Sequence, residues 1–163
     1  MNRRRWLSLA AVAPLAAQAP KRDAMPRFQA RSLDGQLHTR ETLKGKVVLV
    51  QHWATWCGYC RKDEPAVEQI LKDHAKDGLV VLAINAAESK ATVQTYLKDH
   101  PRTAQVVLTP DTNLAPLFEG AGVPAYILID RDSNIAAMQP GSGGLMALRA
   151  MLKEAGLTKP ESK

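Results

Sequence analysis

Val47-Val48-Leu49-Val50-Gln51-His52-Trp53-Ala54-Thr55-Trp56-Cys57-Gly58-Tyr59-Cys60 carries an apolar run into the only two cysteines of the chain. The run 47–53 reads as a buried strand. After it, Glu64, Val67, Ile70, Leu71 and His74 recur at helical spacing, and Gly78 is a stop signal. Pro65 falls inside that helix and predicts a kink. A Cys-x-x-Cys pair at a strand-to-helix junction points to redox chemistry. Its first sulfur sits at the helix N-terminus, where unpaired N–H groups and the helix dipole favour a thiolate. Its second sulfur, one turn later, is within disulfide reach of the first.

The flanking sequence extends this strand-to-helix unit into one α/β domain. Before it, segments 28–31 and 36–39 flank Leu33-Asp34-Gly35, a hairpin turn signal. Beyond it, 79–85 is a continuous apolar strand of the kind that parallel sheets bury. A helix over 91–100 places Val93, Tyr96 and Leu97 on one side. A strand over 105–108 and a short helix over 113–119 follow. Strands over 126–129 and 134–138 enclose a turn at 130–133. An amphipathic helix over 142–155 closes the domain with Leu145, Leu148, Met151 and Leu152. This order predicts a mixed central sheet flanked by helices, with an N-terminal β-hairpin extension. The domain spans 28–157, preceded by a polar linker over 20–27 and followed by a polar tail over 158–163.

The 163 residues include 22 Lys and Arg against 16 Asp and Glu. Residues 1–19 hold Arg3, Arg4 and Arg5 and no acid, so the remainder carries 19 basic and 16 acidic residues, a net +3. With 5% aromatics and no basic-aromatic interleaving, a nucleic-acid surface is not expected. Residues 1–5 form a basic region and 6–17 an apolar one, too short for an ordinary membrane span. That is the outline of an export signal over 1–19. Asn2-Arg3-Arg4-Arg5-Trp6-Leu7 also resembles the twin-arginine signal, although Ser8 stands where lysine is common. Ala17-Gln18-Ala19 is a candidate cleavage box, but Pro20 follows it. Cleavage at a neighbouring alanine and retention as an N-terminal membrane anchor both stay open. Either places the domain in the periplasm, where disulfides persist.

Gly45-Lys46-Val47-Val48-Leu49-Val50, Trp53-Ala54-Thr55-Trp56-Cys57, Cys60-Arg61-Lys62 and Gly122-Val123-Pro124-Ala125-Tyr126-Ile127-Leu128-Ile129-Asp130 together resemble the thioredoxin-like thiol-disulfide oxidoreductases of the TlpA/ResA type. The resemblance runs from about Pro26 to Leu157. It implies a thioredoxin-like fold, a redox pair Cys57/Cys60, and no cofactor. It also implies that Pro124 is a cis-proline beside the disulfide. Such a proline turns the chain so that Val123 offers its backbone N–H and C=O to a substrate strand. Trp56 is expected to cover the site and Trp53 to pack in the core.

Departures from the family pattern sharpen the reading. Tyr59 stands where many relatives carry proline, and Gly58-Tyr59 resembles the dipeptide of periplasmic disulfide isomerases. Gln51 stands where cytoplasmic thioredoxins hold a buried acid. Both predict a more stable Cys57 thiolate and a more oxidising disulfide. Asp63, followed by Glu64, stands where relatives carry a proton-accepting glutamate, so both are candidates for proton transfer. Arg61 and Lys62 add positive charge near the sulfurs. His52 replaces an aromatic and reads as a half-buried structural imidazole.

The expected chemistry is thiol–disulfide exchange, with Cys57 attacking and Cys60 resolving. The reductase reading leads, and isomerase and oxidase readings share the site. Expected partners are disulfide-bearing protein substrates and a membrane electron donor of thiol type. A non-catalytic metal- or thiol-binding module is the alternative of another class. A metal site lacks a second cysteine pair, since His38, His52, His74 and His100 are scattered. The Thr-x-x-Cys context of peroxidases on this fold is absent.

Overall fold

The computed structural model describes residues 22–158. Its elements are β1 (Gln29–Ser32), β2 (Leu37–Thr39), β3 (Val47–Trp53), α1 (Gly58–His74), β4 (Leu79–Asn85), α2 (Lys90–Asp99), β5 (Gln105–Thr112), β6 (Ala125–Ile129), β7 (Ile135–Pro140) and α3 (Gly144–Glu154). They build a mixed sheet in the order β2-β1-β5-β4-β3-β6-β7. β3 pairs in parallel with β4, and β4 with β5, while β6 runs antiparallel to β3 and β7 to β6. β1 runs antiparallel to both β2 and β5.

Side-chain alternation along β3 divides the core into two layers. Val47, Leu49 and Trp53 face one layer with Val67 and Ile70 of α1 and Leu148 and Leu152 of α3. Val48 and Val50 face the other, with Leu82, Ile84, Phe28 and Phe118. A strand covered on both faces has no polar side to show, so 47–50 reads as an unbroken apolar run. Gln51 falls on the α1 side of this alternation, fully buried.

Four expectations are corrected. Residues 22–25 do not behave as a linker: Met25 is buried, its N–H donates to Ser133 O at 2.9 Å, and Ile135 N donates to Asp23 O at 2.8 Å. This segment docks on the β6–β7 turn because Met25 supplies apolar area to the second core layer. The helix expected over 113–119 is a single 3-10 turn, Ala115–Phe118, with Pro116 in its first positions. β5 runs on to Thr112 because β1 pairs with it, Ala30 opposite Thr112, across an irregularity that tolerates Pro110. α3 begins at Gly144 rather than at 142. Helix α1 continues through Pro65 to His74. After a 3-10 turn, Gly78 ends this helical run at φ +80°, a conformation that glycine adopts without steric cost.

The export-signal segment 1–19 lies outside the described residues. Among the described residues no helix is long and apolar enough to cross a membrane.

Candidate active site

The chain leaves the C-terminal end of β3 at Trp53 and enters α1 at Gly58, with Cys57 as the N-cap. Cys60 N donates to Cys57 Sγ at 3.0 Å, so the sulfur takes one of the helix's unpaired amides. Cys57 and Cys60 are joined as a disulfide with Cα atoms 5.2 Å apart. The two residues are 4% and 3% exposed, so accessibility does not separate an attacking from a resolving sulfur. Their positions differ: Cys57 caps the helix, and Cys60 lies inside its first turn. Trp56, just before the pair, and Tyr59, between its two cysteines, stand out at 67% and 64% exposure.

The Val123–Pro124 bond is cis. His52 pairs with Ala125, which sets Pro124 level with Trp53, at the end of the sheet where the cysteine turn emerges. Val123 is half-buried and Pro124 buried. The sequence-derived site residues Cys57, Cys60, Trp56, Val123 and Pro124 therefore gather at one end of β3 and β6. His52 lies behind them, stacked on Phe118 with ring centroids 4.9 Å apart, and its Nδ1 is 3.1 Å from Gly122 O. Burial lowers its pKa, against the Gly122 carbonyl.

Thr55 anchors the turn. Its N–H donates to Glu88 Oε2 at 2.8 Å, its hydroxyl donates to Glu88 Oε1, and its carbonyl accepts from Arg61 Nη1 at 3.0 Å. Asn85 Nδ2 donates to the same Glu88 carboxylate at 2.7 Å. Burial raises the Glu88 pKa, but the hydrogen bonds from Thr55 and Asn85 outweigh it and hold the carboxyl below its usual range. Arg61 is thus a clamp on the turn as well as a nearby charge. Lys62 lies over the Tyr59 ring, its Nζ 5.2 Å from the centroid.

Asp63 and Glu64 share the α1 face of Cys60, three and four residues on, but their surroundings differ. Asp63 is buried and accepts from Tyr126 OH at 2.9 Å, Ser142 Oγ at 2.6 Å, Gly144 N at 3.1 Å and Gly143 N at 3.4 Å. It caps α3 from another helix, because the α3 N-cap Gly143 has no side chain to do so. Gly143 is required there: a Cβ would lie 2.4 Å from Ala147 Cβ and 2.2 Å from Gln139 Nε2. Glu64 instead pairs with Arg102, whose Nε donates to Oε1 at 2.6 Å. Burial raises the Glu64 pKa, and Arg102 opposes the shift.

Gln51 closes the arrangement. Its Oε1 accepts from Arg102 Nη2, and its Nε2 donates to Tyr126 OH at 3.3 Å. The result is a buried ring from Asp63 through Tyr126, Gln51 and Arg102 to Glu64. Burial, and then Asp63, raise the Tyr126 pKa, so its hydroxyl keeps its proton. Sequence reasoning missed Tyr126, Arg102, Glu88 and Ser142. Only Tyr126 carried a signal, as the one polar-tipped side chain in an otherwise apolar buried strand. Among the described residues no group of three His, Cys, Asp or Glu side chains is placed to hold a metal ion.

Comparison with known proteins matches the chain to the AhpC/TSA family model over residues 22–138. It is 26% identical to the thiol-disulfide oxidoreductase ResA of Bacillus cereus over 110 residues, 68% of this chain and 64% of that protein. The ResA of Bacillus subtilis is 27% identical over 117 residues, 72% of this chain and 65% of that protein. The match thus spans just under two thirds of the length of these curated relatives. Among solved structures, a putative thiol:disulfide interchange protein DsbE from Chlorobium tepidum superposes with a TM-score of 0.73 at 26% identity, covering 85% of this chain and 99% of that one. A putative protein disulfide isomerase from Bacteroides thetaiotaomicron gives a TM-score of 0.72 at 26% identity, with 85% and 89% covered. With its thioredoxin-like sheet and its Cys-x-x-Cys turn, this chain belongs to the AhpC/TSA family, and its likeness within that family is to the TlpA/ResA type.

Proposed function

We propose that this protein is an exported thiol–disulfide oxidoreductase that reduces disulfides of periplasmic protein substrates through Cys57 and Cys60. The observation that carries this reading is the Cys57–Cys60 disulfide at the N-terminus of α1, level with the cis Val123–Pro124 bond. That arrangement fits an attacking sulfur beside a backbone edge able to hold an extended peptide. Trp56 and Val123 flank the bound segment, and Pro124 keeps the edge open.

In the reductive direction, Cys57 thiolate attacks one sulfur of a substrate disulfide. The S–S bond breaks, a mixed disulfide forms, and the other substrate sulfur leaves as a thiolate that takes up a proton. Cys60 loses its proton and attacks Cys57 Sγ. The second substrate thiol is released and the protein disulfide closes, so two electrons have passed to the substrate. A membrane electron donor of thiol type returns them. Asp63 and Glu64 are the two acids beside Cys60 for proton transfer; Asp63 accepts from four donors and Glu64 from the Arg102 fork. The Arg3-Arg4 segment suits export by the folded-protein route, with the folded domain, the docked residues 22–25 included, as the periplasmic unit.

Trapping tests the reading. Cys60→Ser is expected to accumulate a mixed disulfide with protein substrate on non-reducing gels, and Cys57→Ser is not. Equal trapping by both variants would sink the assignment of roles, and no exchange by the wild type would sink the function.

A further inference from the structure

Arg102 has no place in the exchange steps, yet its charge is buried beside them and held by Glu64 and Gln51. It follows Pro101 between α2 and β5, and its side chain is 2% exposed. Its guanidinium forms a fork on Glu64 and donates to Gln51 Oε1. Its Cζ lies 4.4 Å from the centroid of the Trp53 ring. Glu64 is one helical turn beyond Cys60, and Trp53 ends the strand that leads to Cys57. The cation therefore sits between the helix that carries one sulfur and the strand that delivers the other.

A buried guanidinium is costly and serves stability poorly compared with an apolar side chain of similar volume. Its position suits a different task. Reducing the disulfide creates a thiolate, and the charges around it decide how readily that thiolate forms. Without Arg102, the Glu64 carboxylate would stand uncompensated one turn from Cys60 and oppose the new negative charge.

We propose that Arg102 sets the reduction potential of the Cys57–Cys60 pair by cancelling the Glu64 carboxylate and holding the neutral Gln51 amide in place. It is a positioning residue, acting through Glu64 and Gln51 rather than on substrate. The proposal rests on the exchange reading above.

The test is equilibration of the full chain with glutathione redox buffers. Arg102→Met is expected to shift the exchange constant about tenfold toward the disulfide, roughly 30 mV more reducing for a two-electron couple. Arg102→Met combined with Glu64→Gln removes both charges and is expected to return to within about threefold of wild type. Glu64→Gln alone leaves the cation unpaired and is expected to shift the constant the opposite way. It also serves if Arg102→Met fails to fold. Arg102→Lys keeps the charge without the fork and is expected to fall between wild type and Arg102→Met. An unmoved constant in Arg102→Met and Glu64→Gln would overturn the proposal while leaving exchange intact. So would equal shifts in the single and double variants, the signature of packing alone. A wild type that does not equilibrate with glutathione at all would overturn the exchange reading and this proposal together.

Discussion

Replacing Asp63 by alanine removes a side chain that ties α1 to β6 and to the start of α3. Tyr126 is 1% exposed, and its hydroxyl would lose its acceptor at 2.9 Å. Gln51 Nε2, the other polar neighbour of that hydroxyl, is a donor and cannot take over. A stranded buried hydroxyl costs about 1–3 kcal/mol. The first amides of α3, Gly143 N and Gly144 N, would lose their cap, for about 0.5–2 kcal/mol. Ser142 Oγ is partly exposed and can turn to water. Burying a carboxylate works in the other direction, and its four donors and the α3 dipole offset that term. The balance is a loss of about 3 kcal/mol, among the larger single-residue effects. With a urea slope of about 2 kcal/mol per molar, the midpoint of the oxidised protein falls by about 1.5 M. Asp63→Asn keeps one acceptor oxygen but turns an amide toward Tyr126 or the helix amides, so about half of that loss is expected. The assay is equilibrium urea unfolding by far-UV circular dichroism, without reductant, with slopes compared across variants. An alanine variant within about 0.5 kcal/mol of wild type would refute the view that Asp63 is a structural cap.

Gly143→Ala should destabilise the protein by about 1–3 kcal/mol, because its Cβ would lie 2.4 Å from Ala147 Cβ; thermal unfolding checks this. Glu88 has a folded-state pKa depressed below 4.5, so its contribution is present above that value and is lost as pH falls through the folded pKa. The protection factor of the Thr55 amide against hydrogen exchange, corrected for the intrinsic rate at each pH, should fall with acid over that range in wild type and lose this dependence in Glu88→Gln. Tyr59→Pro should make the pair more reducing, measured against glutathione. Gln51→Asp should do the same only weakly, because Arg102 would pair with the new carboxylate, and more strongly in an Arg102→Met background.

The tryptophan-flanked Cys57-x-x-Cys60 turn, the Val123-Pro124 step and the strand–helix order were legible because they are local. An apolar run, a helical period and a cysteine spacing each constrain a few consecutive residues, and a mixed sheet flanked by helices follows from their order. The buried ring was not legible. Asp63, Gln51, Arg102 and Tyr126 come from a helix, a strand, a loop and another strand, and no periodicity links them. From sequence, Gln51 was a neutral substitute for an acid. In the fold it holds a guanidinium, so its effect on the sulfurs cannot be read from its own charge. Asp63 was a shortened proton acceptor by position, and the fold makes it the cap of α3. The polar 20–27 segment reads as a linker because composition does not record that Met25 is buried against the β6–β7 turn. What the sequence determined by itself was the chemistry the cysteines can perform and the elements that present them. What only the tertiary structure decided was which charges face each other out of water, because burial and pairing depend on distance in space and not on distance along the chain.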